Sequence, residues 1–465
     1  MKSSNWIIGP EISLPVMLKG REDRVRRQKR AQIKRPDTLV CFTLNIAGPI
    51  KRFPLAEEVF YNTFDLIRNT LLIHRMPPAD SFVSDNVYGM EGYLSVHTDA
   101  YEVKKVLLEL EENEPAGRLF DIDVLKPDGE KVSRSELGLG TRPCLVCGKT
   151  DGICARSRAH SVEELQDATI SLLLEQCSKY RLSSEMIGRL CRQAMLMEVY
   201  ATPKPGLVDL NNAGSHTDMD VSLFEKSTYA LETYFARFAA AGFELQNESA
   251  EKILSCIRPI GLEAENAMYQ ATGGVNTHKG MIFSLGILAA AAGYVIASYS
   301  VRETLLSQIL RTAGMIASPA FKEDFRLLPL EDGHVKTAGE EQYEKLKLGG
   351  IRAEAAGGFQ SVQRFCWPYL AEYLDREMDY KRAGSLALMH LLANVDDSNM
   401  IKRSSREEQL QVKDEIRKLL QAAPEPSEER ILETDTEFIR RNLSPGGCAD
   451  LLALTYWLYL ISWLL

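Results

Sequence analysis

The stretch YRLSSEMIGRLCRQAMLMEVYATP, residues 180–203, decides the fold. From Ser183 to Tyr200 its apolar residues follow helical spacing, and the pattern stops before Thr202-Pro203. Beyond it strand signals nearly vanish. Helical patterns recur at 220–242, 249–270, 280–299, 301–317, 361–376, 381–394, 405–421 and 447–463. Polar, Gly-bearing loops separate them, including Glu331 to Gly350. Residues 179–465 are therefore expected to form an all-α domain whose loops carry the chemistry.

Upstream the texture is mixed. TLVCFTLNIAG (38–48) is a β-rich run that starts after Pro36 and ends at Gly48-Pro49. Pro54 opens a helical pattern through Phe60, Phe64 and Ile67, GYLSVHT (92–98) reads as a short strand, and Val103 to Leu110 is helical. RLFDIDVLKPDGEKV (118–132) reads as a hairpin around Pro127-Asp128-Gly129. Residues 1–178 are expected to form an α+β domain, with the boundary near Lys179 to Ser183. No internal repeat is visible at solenoid periods.

The 465 residues are 45% hydrophobic and 26% charged, an ordinary globular composition. That excludes collagen, low-complexity disorder and a small disulfide scaffold. The net charge of −9 argues against a general polyanion binder, so no nucleic-acid partner is expected. Lys19 to Arg35 is an exception, with nine Lys or Arg and two acids. It is either a solvated helix face or a local site for an anionic partner. Nine scattered cysteines do not form a secreted disulfide framework. The opening MKSSNWIIGPEISLP has no uninterrupted apolar run, so no signal peptide and a cytoplasmic location are expected. Phe283 to Ser300 and Leu451 to Leu465 are apolar but read as buried helices rather than membrane spans.

Four places could carry chemistry. On a strand, Asp121 and Asp123 point the same way. Paired carboxylates repel unless a cation sits between them, as in nucleotidyltransferases that hold Mg²⁺; an exposed hairpin face is the alternative. Ser161 and Glu164 form a capping box, and Arg156, Arg158 and His160 lie just before that helix start, where anions bind. Cys144, Cys147, Cys154 and His160 suggest zinc, but the second half of the spacing is not that of a standard finger. The cysteines are therefore expected to be structural or incidental. In the helical half, ATGGVNTHKG (271–280) offers Gly273, Gly274, Asn276, His278 and Lys279 for phosphate, although it is not a P-loop. Two more loops supply Lys204, Asp209, His216, Asp218 and Asp220, and then Asp396, Asp397, Asn399 and Arg403. Acid pairs at helix ends are often only caps. Three such loops in one domain point to a metal and polyphosphate site, with Asp396 and Asp397 as its ligands.

CFTLNIAGPIK, GRLFDIDV and CLVCGKTDGICARSRAHSVEEL resemble apo-citrate lyase phosphoribosyl-dephospho-CoA transferase over roughly residues 10–178. EVYATPKPGLVDLNNAGSHTDMD, GGVNTHKG, GGIRAEAAGGFQSV, NVDDSNMIKR and SPGGCADLLALT resemble triphosphoribosyl-dephospho-CoA synthase over roughly 180–465. The whole resembles a fusion of the two. The resemblance implies a nucleotidyltransferase-like first domain and two consecutive reactions. The second domain would join ATP to 3′-dephospho-CoA with loss of adenine. The first would pass the product to a serine of the citrate lyase acyl carrier protein (the γ subunit), with loss of pyrophosphate. Mg²⁺ on Asp121 and Asp123 is implied, with no tightly bound organic cofactor and no membrane partner. Asp218, Asp220, Asp396 and Asp397 would meet oxocarbenium charge, and Lys204, His278 and Lys279 would hold triphosphate. The basic stretch would meet the acidic carrier. A non-catalytic assembly factor and a helical ADP-ribosyl hydrolase-like enzyme are the alternatives.

Overall fold

The computed structural model describes residues 5–150, 152–298, 305–326 and 349–465. Contacts divide the chain into two units, residues 2–181 and 182–465.

The first unit is built on a four-stranded antiparallel sheet of order β2-β3-β1-β4. Its strands are β1 (Thr38–Leu44), β2 (Pro78–Asn86), β3 (Gly89–Val96) and β4 (Phe120–Leu125). Strand β1 is central and almost wholly buried, as its unbroken apolar run requires. Side chains alternate across it. Phe42 stacks on Phe60 of helix α2 (Pro54–Ile73) with ring centroids 5.1 Å apart and meets Phe120 edge-on at 5.8 Å. Leu39 and Cys41 pack on the opposite face with Tyr93, Leu125 and Ala31 of helix α1 (Leu14–Lys34). The register pairs Thr43 with Asp121, Phe42 with Ile122 and Cys41 with Asp123. Both aspartates therefore share the α1 side, while Phe120, Ile122 and Val124 fill the core. Helix α3 (Ala100–Asn113) packs on β4.

Three expectations change here. The hairpin after β4 has no second strand: its return is a single bridge, Leu125 to Lys131. Past the turn only Val132 is buried, so little apolar surface holds a longer pairing. Strand β2 gave no sequence signal because PADSFVSDN is a half-exposed edge, where a leading proline is tolerated. The basic run forms α1, but Arg24 and Arg27 turn inward onto buried Glu91, at 2.8 and 2.7 Å.

The second unit has helices joined by loops and no strand among its described residues, in agreement with the sequence pattern. Helices α4 (Ile153–Ser157) and α5 (Val162–Ser178) close the first unit. The second unit continues with α6 (Ser184–Tyr200), α7 (Val221–Glu244), α8 (Ala250–Thr272), α9 (Lys279–Ser298) and α10 (Leu305–Arg326). It ends with α11 (Gly350–Ala356), α12 (Trp367–Asp375), α13 (Tyr380–Asn394), α14 (Ser398–Arg403), α15 (Arg406–Ala422), α16 (Glu428–Arg440) and α17 (Gly446–Ser462). The expected loop at Glu331 to Gly350 lies outside the described residues up to 348.

Helix α9 has no polar stripe and is long and apolar enough to cross a membrane, yet 78% of its most apolar window is buried inside the unit. It is enclosed by α6, α7, α8, α10 and α17. Helices α7 and α9 approach so closely that a Cβ at Gly242 would collide with the Ala290 carbonyl oxygen. One at Gly293 would collide with that of Ala239. Gly293→Ala is expected to destabilise the helical unit by about 1–3 kcal/mol through overpacking. Gly261→Ala, whose Cβ would meet only Phe238 Cζ at 3.9 Å, should stabilise by about 0.5–1 kcal/mol. Guanidinium unfolding followed by circular dichroism checks both signs.

Candidate functional site

Each unit carries a polar constellation of its own. In the first, Asp121 and Asp123 stand two residues apart on β4, each half-buried. Burial and then the Asp123 charge raise the Asp121 pKa, which Lys131, Arg24 and Arg142 oppose. Lys131 is paired with Asp123. Two adjacent carboxylates whose repulsion is only partly offset are a donor set that suits a hard divalent cation. Arg142, passed over in the sequence, donates to the carbonyl oxygens of Phe120 (2.7 Å) and Gly117 (3.1 Å) and pairs with buried Glu111. It thus fixes the strand end that carries Asp121.

The capping box at Ser161 is present: Ser161 Oγ accepts the Glu164 N–H, and Glu164 Oε2 accepts the Ser161 N–H at 2.8 Å. Arg156 and Arg158 are exposed just upstream. His160 lies instead among Cys144, Cys147 and Cys154, their donor atoms all within 4.8 Å of one another.

In the second unit a cleft of about 1060 Å³ gathers the loops. Asp209 organises its first wall. Its Oδ2 accepts from Lys204 N–H (2.8 Å) and Thr202 Oγ1 (3.0 Å), and its Oδ1 from the N–H groups of Asn211 and Asn212. Asp435 holds Gly206 N–H and Asn212 Nδ2, both at 2.8 Å. Lys204 is buried, bonded to the Glu198 carbonyl at 2.7 Å and ion-paired with the Glu198 carboxylate. Burial raises the Glu198 pKa and Lys204 opposes it. His216 is wedged between Ser444 Oγ (2.8 Å) and Arg403 (3.1 Å). Burial first, then Arg403, lowers its pKa.

His278 ends the loop before α9. Its Nδ1 meets Ser227 Oγ at 2.7 Å, and its buried Nε2 has no hydrogen-bond partner. Burial, reinforced by Lys204, depresses its pKa to about 3, so the ring is neutral at working pH. Asp450 in the first turns of α17 sits against Gly280, where any Cβ would strike its carboxylate. Burial, then Glu198 and Asp397, push the Asp450 pKa well above the carboxylate range.

The predicted residues sort into three groups. Lys204, Asn276, His278, Lys279, Asn399, Arg403, Asp218 and Asp396 line the cleft. Gly273, Gly274 and Asp220 are not among its lining residues: Gly273 closes α8, and Asp220 caps α7 through Leu223 N–H at 2.8 Å. Asp396 and Asp397 do not converge as a metal pair. Asp397 is buried and accepts the N–H groups of Asn399, Met400 and Cys448 at 2.8–3.0 Å, while Asp396 pairs with Lys413 at 2.7 Å. Glu198 and Asp450 went unnoticed, although Asp450 is the only charged residue in GGCADLLALTYWLYL (446–460). A lone acid in an apolar helix is costly to bury without a purpose.

A family model described as ATP:dephospho-CoA triphosphoribosyl transferase matches residues 184–465. One described as apo-citrate lyase phosphoribosyl-dephospho-CoA transferase matches residues 12–176. Protein CitXG of Haemophilus influenzae is 33% identical over 455 residues, covering 96% of both chains. Protein CitXG of Leuconostoc mesenteroides subsp. cremoris is 31% identical over 463 residues, 97% of both chains. The 2-(5''-triphosphoribosyl)-3'-dephosphocoenzyme-A synthase of Haemophilus ducreyi is 36% identical over 330 residues, 67% of this chain and 97% of that protein.

The buried His278 has a direct consequence for acid stability. Its folded pKa lies below the unfolded value near 6.5, so the unfolded chain takes up the proton first as pH falls. Its contribution is complete above about pH 6.5 and is lost progressively towards pH 3. The unfolding free energy of the native chain minus that of His278→Gln should be flat above pH 7. Below pH 6.5 it should shrink by up to about 1.4 kcal/mol per pH unit, measured by urea unfolding across that range.

Proposed function

Because the chain belongs to the family of fused citrate lyase prosthetic-group transferases, we propose that its two constellations perform that family's two successive transfers. The helical cleft takes ATP and 3′-dephospho-CoA. The 2′-hydroxyl of dephospho-CoA attacks C1 of the ATP ribose, adenine leaves with the bonding pair, and the triphosphate stays intact on the new 2′-(5″-triphosphoribosyl)-3′-dephospho-CoA. In the first unit, of nucleotidyltransferase-like fold on this reading, a serine hydroxyl of the citrate lyase acyl carrier protein attacks the α-phosphorus and pyrophosphate departs.

The observation that carries this reading is the convergence of Glu198, Asp450 and His278 in one cleft with a cationic rim. Breaking a C–N bond at a sugar builds positive charge, which carboxylates meet. Glu198, kept charged by Lys204, stabilises that cation. Lys204 is thereby a positioning residue for Glu198 rather than a triphosphate ligand. Asp450, whose pKa is raised, exchanges a proton with the attacking hydroxyl or the departing base. Lys279, Lys402 and Arg403 at the rim hold the triphosphate.

In the first unit Asp121 and Asp123 would hold Mg²⁺, which supplies charge neutralisation at the reacting phosphate. Arg156 and Arg158 clamp the triphosphate, and the exposed Lys19, Arg21, Lys29 and Arg30 of α1 meet the acidic carrier. No disulfide joins any of the nine cysteines, and a cytoplasmic location is part of this reading.

In the full-length chain, Asp450→Asn is expected to slow adenine release by about 10²–10⁴-fold, read by chromatography of free adenine. Asp121→Asn should abolish carrier labelling while adenine release stays intact. Normal adenine release by folded Asp450→Asn would remove Asp450 from the chemistry. Loss of both activities in folded Asp121→Asn would refute separate sites.

A further inference from the structure

We infer that Cys144, Cys147, Cys154 and His160 form a structural zinc site in the first unit. Their spacing along the chain argues for structural or incidental thiols, whereas their placement in the fold brings all four side chains together. One ligand atom from each of the four residues lies within 4.8 Å of all the others, and the Cys147 and Cys154 sulfurs are 3.4 Å apart. Tetrahedral zinc with three sulfur ligands and one nitrogen sets its donors roughly 3.3–3.8 Å apart, from metal–ligand bonds of 2.0–2.3 Å. Small side-chain rotations therefore suffice to close the site.

The local backbone is shaped for a thiolate. Cys144 Sγ receives the N–H groups of Val146 and Cys147. Gly148, at φ +70°, donates its N–H to the Cys144 carbonyl at 3.0 Å, and Cys144 N–H reaches the Lys149 carbonyl at 2.8 Å. This tight knuckle turns both sulfurs of C-L-V-C the same way. Across from it, Cys154 lies on α4, whose carbonyl takes the Ala159 N–H at 3.1 Å, so the chain curls back to bring His160 in. His160 Nε2 is buried and has no hydrogen-bond partner. A buried ring nitrogen normally finds one, and a metal supplies it.

From Ser133 to Ala168 none of the described residues is buried. A stretch of that length without core side chains cannot meet its ordering entropy by apolar burial, and a metal cross-link is the usual substitute. Three soft thiolates with one imidazole select zinc over magnesium or calcium. The assignment also moves His160 out of the anion site, since a metal ligand cannot face phosphate. Arg156 and Arg158 are then displayed from a clamped loop.

The test is elemental analysis of the full-length chain, purified under reducing conditions without chelator. About one zinc per chain is expected. Asp121→Asn/Asp123→Asn should keep it, whereas Cys144→Ser/Cys147→Ser should lose it while still releasing adenine. Cobalt substitution should give near-ultraviolet thiolate-to-metal absorption that disappears with His160→Ala or weakens sharply. Limited proteolysis after chelation should open cleavage between residues 138 and 160. Substoichiometric zinc, zinc retained by the double cysteine variant, iron in place of zinc, or a Cys147–Cys154 disulfide in the reduced preparation would overturn the proposal.

Discussion

A helix with no polar stripe must be enclosed on every side, and that requirement organises the larger unit. Helix α9 satisfies it by close approach: Gly242 and Gly293 allow α7 and α9 to meet backbone to backbone. With α9 fixed, its first turn is fixed too. His278 and Gly280 are delivered to the cleft floor, and the bare Cα of Gly280 leaves space for the Asp450 carboxylate arriving from α17. A packing constraint in the core thus sets the position of polar groups at the site.

The acids of the helical unit divide by what they touch. Asp209, Asp397 and Asp435 spend their oxygens on backbone N–H groups, on the Thr202 hydroxyl and on the Asn212 side-chain amide, and so hold loops in shape. Glu198 and Asp450 face the cleft; burial raises the pKa of both, but Glu198 is ion-paired with Lys204, which opposes the rise, and Asp450 has no such partner among the described residues opposing its own. This contrast follows from hydrogen-bond satisfaction: a carboxylate that accepts three N–H bonds has little capacity left for a substrate. The smaller unit repeats the logic on a sheet, where a two-residue period places both aspartates on one face.

Much of the architecture was legible in the sequence. The period-2 pattern of FDIDV announced β4 and the shared face of its acids, and the 3.6-residue pattern after Ser183 announced the helices. The edge strand β2 was not legible, because half-exposed polar strands carry no apolar alternation. The polar loops are harder to sort from sequence for a physical reason. Density of acids marks loops that need capping as readily as loops that do chemistry, so Asp220 and Asp397, which cap helices, stand out in the sequence where the single Asp450 does not. Cys144, Cys147, Cys154 and His160 were visible as a set, but linear spacing says little once a short helix folds the chain back on itself.

The central claim is that each unit holds a complete site and that the product of one is the substrate of the other. The most direct measurement mixes two full-length variants, Asp121→Asn and Asp450→Asn, with ATP, dephospho-CoA, Mg²⁺ and the unmodified carrier protein, and follows labelling of the carrier serine. Neither variant alone should label it. The account predicts that the mixture does, because one variant makes the intermediate and the other attaches it. A mixture that stays silent, although each variant retains its own half-reaction, would contradict the account.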